Sequence, residues 1–452
     1  MILLAFVITL SIIILSVVKW KLHPFLALLI GAILMGFLSG MAPDEIMNNI
    51  CSGFGETMQD IGILILLGVI LGEILHNSGA TRNIATKMLE LLGVQNTPLA
   101  INITGYLICI PVFFDAAFII LIDLMRQLSR EGKIAFNVLV CALSLGMTMT
   151  HAMVIPTPGP LAVAGIVGAN IAWFIFYSII VSLPASLTGS VLYGKFLAKH
   201  PVWGNSLEDK IDAPEEAPLP EMKKQDRHTA SGGMGIFLII LPIILIVIGT
   251  VVSMVMDENA AIYPFVTFFS DTNVILLFTV FLAFFLLRNY LTASFNDLVS
   301  TSAESVGSII AIIACGGGFG AVINASGLGN YLVTTLQSLG IPLVVLAFLL
   351  TQVLRMGLGS ITVSLVTTAA VVAPLITATG ASPVLVGLAV CSGGIGLCMP
   401  NDSSFWTISK FSGFSFGETV RVLTVSGTIG GITAFLIVLL LNLFSGMLPG
   451  LY

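Results

Sequence analysis

Arg355-Met-Gly-Leu-Gly-Ser-Ile-Thr362 is the stretch on which the fold turns. A guanidinium stands in apolar sequence, with Leu349, Leu350, Val353 and Leu354 before it and Ile361, Val363 and Leu365 after it. On membrane-insertion scales an arginine at a helix centre costs about 2.5–3.5 kcal/mol, so such a charge persists where it faces water or a partner. Two glycines, a serine and a threonine follow it, which predicts a broken helix rather than a continuous span. Non-helical backbone is tolerated in a bilayer where it is buried in protein or lines a binding cavity.

Working outward, the composition places that stretch in a membrane. The 452 residues are 57% hydrophobic and 9% charged, with a mean hydropathy of +1.08. Soluble domains carry about 25% charged residues. An integral membrane protein follows, with the lipid bilayer as its surroundings and no nucleic-acid partner expected. The net charge of −6 says little, because orientation follows Lys and Arg placement rather than net charge. Six cysteines (51, 109, 141, 315, 391 and 398) lie mostly in or beside apolar stretches without CxxC spacing, and read as core-filling thiols. Met1 to Val18 lacks a basic leader region and reads as a retained first span.

The chain also contains itself twice. Glu56-Thr-Met-Gln-Asp, Gly68, Gly72 and Ser78-Gly79 match Glu304-Ser-Val-Gly-Ser, Gly316, Gly320 and Ser326-Gly327 at a constant spacing. Pro98 likewise pairs with Pro342, and Pro156 with Pro400. Residues 1–199 and 235–452 are therefore expected to be two transmembrane repeats around a polar linker, 200–234, rich in Pro, Glu, Asp and Lys.

Spans are expected at 2–18, 24–41, 57–76, 134–168 (broken near 156–160) and 170–197, with 98–126 a re-entrant hairpin and 342–378 its counterpart. An amphipathic stretch, Thr81 to Leu92, precedes the first hairpin. This layout gathers Lys19, Lys21, Arg82, Lys87, Arg126, Arg130, Lys133 and the linker lysines on one face, while 42–56 on the other has no Lys or Arg. By the positive-inside rule the linker is cytoplasmic and both termini are periplasmic. The expected fold is thus an all-α polytopic membrane protein. It has two inverted-topology repeats, each with about five spanning helices, one re-entrant hairpin and one broken helix, as in secondary transporters. If 98–126 were a full span, the parity would fail and Arg126, Arg130 and Lys133 would be exported.

Four interruptions are expected to converge near the midplane: Ile110-Pro-Val-Phe-Phe-Asp115, Arg355 to Val363, Ile155-Pro-Thr-Pro-Gly-Pro160 after Thr148-Met-Thr-His151, and Met399-Pro-Asn-Asp-Ser-Ser-Phe-Trp406. Half-helix N-termini there would offer N–H donors and partial positive charge to an anion. A guanidinium suits a carboxylate through two parallel hydrogen bonds. The expected substrate is a small carboxylate held by Arg355, with further polar contacts from Ser360, Thr362, Asn401, Ser403, Ser404 and Thr157, and with Gly159 and Phe114 at the site. Asp115, Asp402 and His151 are the candidates for handling a coupling ion, H⁺ with Na⁺ as the alternative. Duller readings stand beside these: Arg355 as a structural partner of Asp115 or Asp402, both aspartates as caps, His151 as a hydrogen-bonded core histidine, and Asp123 as interfacial. Glu56 and Glu304 read as caps or solvated groups at span entrances. No GxxxxGK[ST] loop, metal-ligand spacing or Ser/His/Asp set is present, so ATP-driven transport, a metal, a cofactor and enzymatic catalysis are not expected.

At these residues the chain resembles the gluconate permease family, gluconate:H⁺ symporters that include D-serine and other sugar-acid transporters, within the wider ion-transporter superfamily. The resemblance runs over nearly the whole chain. It rests on His23-Pro-Phe-Leu-Ala-Leu-Leu29, Ile110-Pro-Val-Phe-Phe-Asp115, Pro156 to Pro160 with Gly165, Gly316-Gly-Gly-Phe-Gly320 with Ser326-Gly327, Gly359-Ser-Ile-Thr-Val363, and Asn401-Asp402 with Phe405-Trp406. It implies a permease of the bacterial inner membrane taking up a hydroxylated carboxylate, in which dimers move a transport domain past a scaffold. Two departures bear on function. Thr157 stands where the family often has histidine, which leaves His151 as the nearby substitute for any proton role there. Ile361 makes the second tip bulkier than the family's usual Gly-Ser-Ala-Thr. A gluconate-like substrate is therefore expected; D-serine, another small carboxylate, a Na⁺-coupled symport and an anion channel are the alternatives.

Overall fold

Pro43-Asp-Glu45 starts the helix that organises the molecule. Proline suits the first helical position, the two carboxylates favour the positive helix end, and Glu45 Oε2 accepts from the Ala42 N–H at 3.3 Å. The resulting helix, α3 (Pro43–Asn77), runs 35 residues. The expected span at 57–76 is thus only its second part, because the polar stretch 43–56 belongs to the same helix. At 1.5 Å per residue α3 is about 50 Å long, well beyond the roughly 30 Å hydrocarbon core. Glu56 accordingly lies in the interior of α3 rather than at an entrance; it is exposed and accepts from Ser52 Oγ at 3.1 Å.

The computed structural model describes residues 2–93, 96–110, 114–199, 229–256, 260, 262–328, 341–399 and 402–451. Before α3 come α1 (Ile2–Val18) and α2 (Pro24–Leu38). After it come α4 (Ala80–Leu92), α5 (Thr97–Ile108), α6 (Phe114–Gly132), α7 (Phe136–Met153), α8 (Pro158–Ile166) and α9 (Ile171–Leu187). A π-helical turn, Thr188–Leu192, joins α9 to α10 (Tyr193–Lys199). Beyond the linker lie α11 (Gly232–Val255), α12 (Tyr263–Ser270), α13 (Thr272–Leu287), α14 (Phe295–Ala325), α15 (Leu343–Leu358), α16 (Ile361–Thr379), α17 (Pro383–Ile395), α18 (Ser403–Ser412), α19 (Phe416–Thr419) and α20 (Ser426–Leu443). No strand occurs among the described residues, and eight helices there are long and apolar enough to cross a membrane. The protein is an all-helical, multi-pass membrane protein.

Much of the predicted 200–234 linker lies outside the described residues. Its end is pinned: Ala230 N donates to Ser78 O at 3.0 Å, and Asn83 Nδ2 donates to Ala230 O at 2.8 Å. The amphipathic stretch predicted at 81–92 is α4, which buries Ala80, Thr81, Ile84, Ala85 and Met88 on one face.

The long helices α3 and α14 cross in close contact at glycines. A Cβ on Gly53 would lie 2.5 Å from Gly317 O, and one on Gly318 would lie 2.8 Å from Ile50 O. Backbone meets backbone there, which only glycine permits. The Gly316-Gly-Gly318 run is therefore helix interior and a packing surface. Around this crossing α5 and α15, of 12 and 16 residues, fall short of the about 20 needed to cross a bilayer. Each leads into a 19-residue helix, α6 or α16. The two apolar helices with predicted breaks divide into α7–α8 and α17–α18, and each long hairpin arm packs on a short half-helix from the other side of the linker. Arg126 of α6 donates to Phe411 O of α18 at 2.5 Å, and α16 packs on α8 around Gly159.

Candidate functional site

Arg355 closes the last turn of α15, where the negative end of the helix favours a cation. It is 1% exposed, the largest of the fully buried side chains. Its Nη2 donates to Asp402 Oδ2, and Asp402 is itself buried. The other oxygen of Asp402 is also engaged, since Oδ1 accepts from Ser404 N at 2.8 Å and caps the N-terminus of α18. Cys398 Sγ lies 3.4 Å from Oδ2. Among the described residues, Arg355 Nε and Nη1 have no hydrogen-bond partner. Two of the three nitrogens of a five-donor guanidinium thus face no acceptor there, a costly state unless an anion visits.

The break between α17 and α18 is built to hold that pair. Leu397 takes a positive φ of 48°, a conformation costly for a branched side chain. It is held by Leu397 N donating to Thr428 Oγ1 at 3.1 Å, while Thr424 Oγ1 donates to Cys398 O at 2.5 Å. Both threonines flank the start of α20, so this wall anchors the extended segment that carries Asp402. Sequence reasoning missed Cys398, Thr424 and Thr428 because their roles depend on a helix 26 to 31 residues away. It also missed Gln352, buried one turn before Arg355 on the same helix. The spacing of three from Arg355 was a signal available for it.

The other break lies alongside. His151, in the last turn of α7, sits close enough to Asp402 and Arg355 for both charges to act on its ring. The hydroxyl of Thr157 turns back onto that helix end, donating to Val154 O at 2.5 Å and Thr150 O at 3.2 Å. It thereby adds a second donor to carbonyls that already accept the backbone N–H groups of Val154 and Thr157. The Ile155–Pro156 bond between them is cis. A Cβ at Gly159 would stand 3.6 Å from Thr362 Oγ1 and 3.2 Å from Leu365 Cδ1, so the N-termini of α8 and α16 meet there. Ser360 caps α16, accepting from Val363 N at 3.4 Å, after Gly359 turns the chain at a φ of 67°.

The structure therefore brings Arg355, Asp402 and His151 together, and sets Thr157, Gly159, Ser360 and Thr362 at the adjoining helix ends. At the first hairpin, Phe114 opens α6 and stacks on Phe118 at 6.2 Å. Asp115 follows it in the first turn, within electrostatic range of Cys109. Asn401, Pro400 and Pro111 to Phe113 lie outside the described residues, as do the side chains of Ser403 and Asp123.

Broken helices meeting around a buried, ion-paired arginine are an architecture of secondary transporters. The GntP family permease model matches residues 1–444, and the chain belongs to that family. Three relatives from Escherichia coli (strain K12) each cover about the whole length. The inner membrane permease YgbN is 32% identical over 94% of both chains. The D-serine transporter DsdX is 30% identical over 94% of this chain and 95% of its own. The high-affinity gluconate transporter is 26% identical over 95% and 96%. Among solved structures, the YdaH transporter of Alcanivorax borkumensis shares the fold at a TM-score of 0.67 and 13% identity, covering 94% of this chain and 98% of that one. The protein is a small-molecule permease.

Proposed function

We infer that this permease is an H⁺-coupled symporter for a gluconate-like polyhydroxy monocarboxylate in a bacterial inner membrane. The observation that carries the reading is Arg355: buried, paired on one nitrogen with Asp402, and without a described partner on the other two. A substrate carboxylate accepting from one of those nitrogens brings a second negative charge beside Asp402. In a buried site that charge is poorly tolerated, so carboxylate binding and protonation of Asp402 favour one another. One proton per substrate then keeps the site's net charge unchanged. His151, in the last turn of α7 beside Thr157, is the candidate to pass on that proton. Ser360, Thr362 and Asn401 would meet substrate hydroxyls, whereas the Thr157 hydroxyl, already engaged with α7, makes that residue a shaper of the break.

The order of α1–α3 and α5–α9 recurs after the linker in α11, α13–α18 and the run α19–α20. With the expected charge asymmetry, this supports two inverted repeats with 200–234 cytoplasmic, and an elevator-type motion of the hairpin and broken-helix unit in a homodimer. The D-serine transporter relative gives one observation in favour of a different cargo. Purified protein in proteoliposomes, offered labelled gluconate against a panel of gluconate, D-serine and related sugar acids, separates the two. The reading expects saturable uptake, substrate counterflow, external alkalinisation and strongest competition by sugar acids. Uptake that needs Na⁺ without alkalinisation reverses the ion assignment, D-serine as the strongest competitor reverses the cargo, and flux without counterflow indicates a channel.

A further inference from the structure

Gln352 is 8% exposed, and its Oε1 has no hydrogen-bond partner among the described residues. It lies on the stripe of α15 that also carries Phe348 and Arg355, at spacings of four and three, and Phe348 is fixed by stacking on Phe435 of α20 at 4.0 Å. The Gln352 amide is pressed against the second break: a Cβ at Gly396 would lie 2.9 Å from Gln352 Nε2 and 3.2 Å from the Thr428 Cα. Gly396 itself is extended, at φ −80° and ψ 179°, so its glycine is needed for this close approach and not for its backbone angles.

An orphaned amide oxygen in such a place wants a donor, and two kinds fit in principle. A metal cation is disfavoured by the Arg355 guanidinium one turn away. A hydroxyl on an anion bound to that guanidinium is favoured by the same charge. We propose that Gln352 is a specificity-determining residue that accepts a hydrogen bond from a distal hydroxyl of the substrate whose carboxylate is held by Arg355. The proposal rests on the function inferred above and narrows its substrate class. Side chains three apart on a helix have Cβ atoms about 5–6 Å apart. A hydroxylated carboxylate bound at the guanidinium can therefore place a hydroxyl at the amide.

The test is a thermodynamic cycle between the residue and the hydroxyl. Competition by gluconate and by its 3-deoxy and 4-deoxy analogues is measured in proteoliposomes of the wild type, Gln352→Leu and Gly396→Ala. In the wild type, removing the contacted hydroxyl weakens competition by about tenfold or more, since the buried amide loses its partner. In Gln352→Leu that penalty shrinks to within about twofold, and Gly396→Ala, which pushes on the amide, reduces it in the same direction. A deoxy penalty equal in all three proteins overturns the role of Gln352 while leaving the sugar-acid reading intact. Wild type that competes with no sugar acid overturns both. If Gln352→Leu fails to reach the membrane, the Gly396→Ala arm decides alone.

Discussion

Replacing Asp402 by Asn isolates charge from structure. Asparagine caps a helix about as well as aspartate, so the bond from Ser404 N to the Oδ1 position survives and α18 stays anchored. What disappears is the counter-charge on Arg355, whose side chain is 1% exposed. Removing one member of a buried ion pair costs about 3–5 kcal/mol, because the remaining charge is left uncompensated. The unliganded variant should therefore unfold at lower temperature in detergent. The same loss makes the substrate carboxylate the sole counter-ion. Two unit charges about 4 Å apart are worth roughly 4 kcal/mol at an effective dielectric of 20, so the competition removed from the site corresponds to up to about 1000-fold in affinity. Gluconate should bind Asp402→Asn at least about 100-fold more tightly than wild type at pH 8. At 100 times its dissociation constant it should restore about 2.7 kcal/mol of stability. With the proposed proton coupling, wild-type affinity should fall as pH rises, whereas the variant's should not change with pH. Counterflow should persist while accumulation driven by a pH gradient is lost. Binding titrations between pH 6 and 8, thermal melts with and without gluconate, and paired counterflow and uphill assays read each outcome. Full pH-driven accumulation by Asp402→Asn would refute the reasoning, since the proton would then travel on another group.

Arg355→Lys should raise the apparent KM at least tenfold or abolish uptake, because a point charge cannot present the parallel donors of a guanidinium; radiolabelled uptake checks it, and an unchanged KM would remove Arg355 from the site. Thr157→Val removes the hydroxyl's bonds onto the end of α7, so it should cost about 1 kcal/mol of stability with little change in KM, and a large KM effect in a fully stable variant would return Thr157 to the substrate. Two glycines of α3 make a matched pair for thermal melts. Gly53→Ala drives a methyl to 2.5 Å from the Gly317 carbonyl and should destabilise by about 1–3 kcal/mol or more, while Gly62→Ala, whose nearest neighbour is Met58 Sδ at 3.6 Å, should be neutral or stabilising by a few tenths.

Much of this was legible in the chain because the bilayer allows few solutions. A backbone in hydrocarbon satisfies its own polar groups, so long apolar runs read as helices, and Pro156 to Pro160 and the polar run beyond Pro400 read as breaks between α7 and α8 and between α17 and α18. The lone arginine in apolar sequence pointed to the site by the cost of its burial alone. The expected span begins at 57, yet Pro43, Asp44 and Glu45 start the helix earlier, with its polar face solvated. Which partner Arg355 takes was open between Asp115 and Asp402, since sequence spacing says nothing about which of two remote carboxylates folding brings near. Packing chose Asp402, because the wall of Thr424 and Thr428 holds Leu397 and Cys398, just before it in the chain, beside α15. Thr157 shows the reverse: its polar character suggested a ligand contact, and its hydroxyl is turned onto the carbonyls of α7. Hydropathy, proline and glycine act locally, so a membrane-embedded protein of interrupted helices could be read from the residues in order. Which polar groups come together, and which of them stay unpaired, emerged only on folding, because packing sets the contacts between residues far apart in the chain.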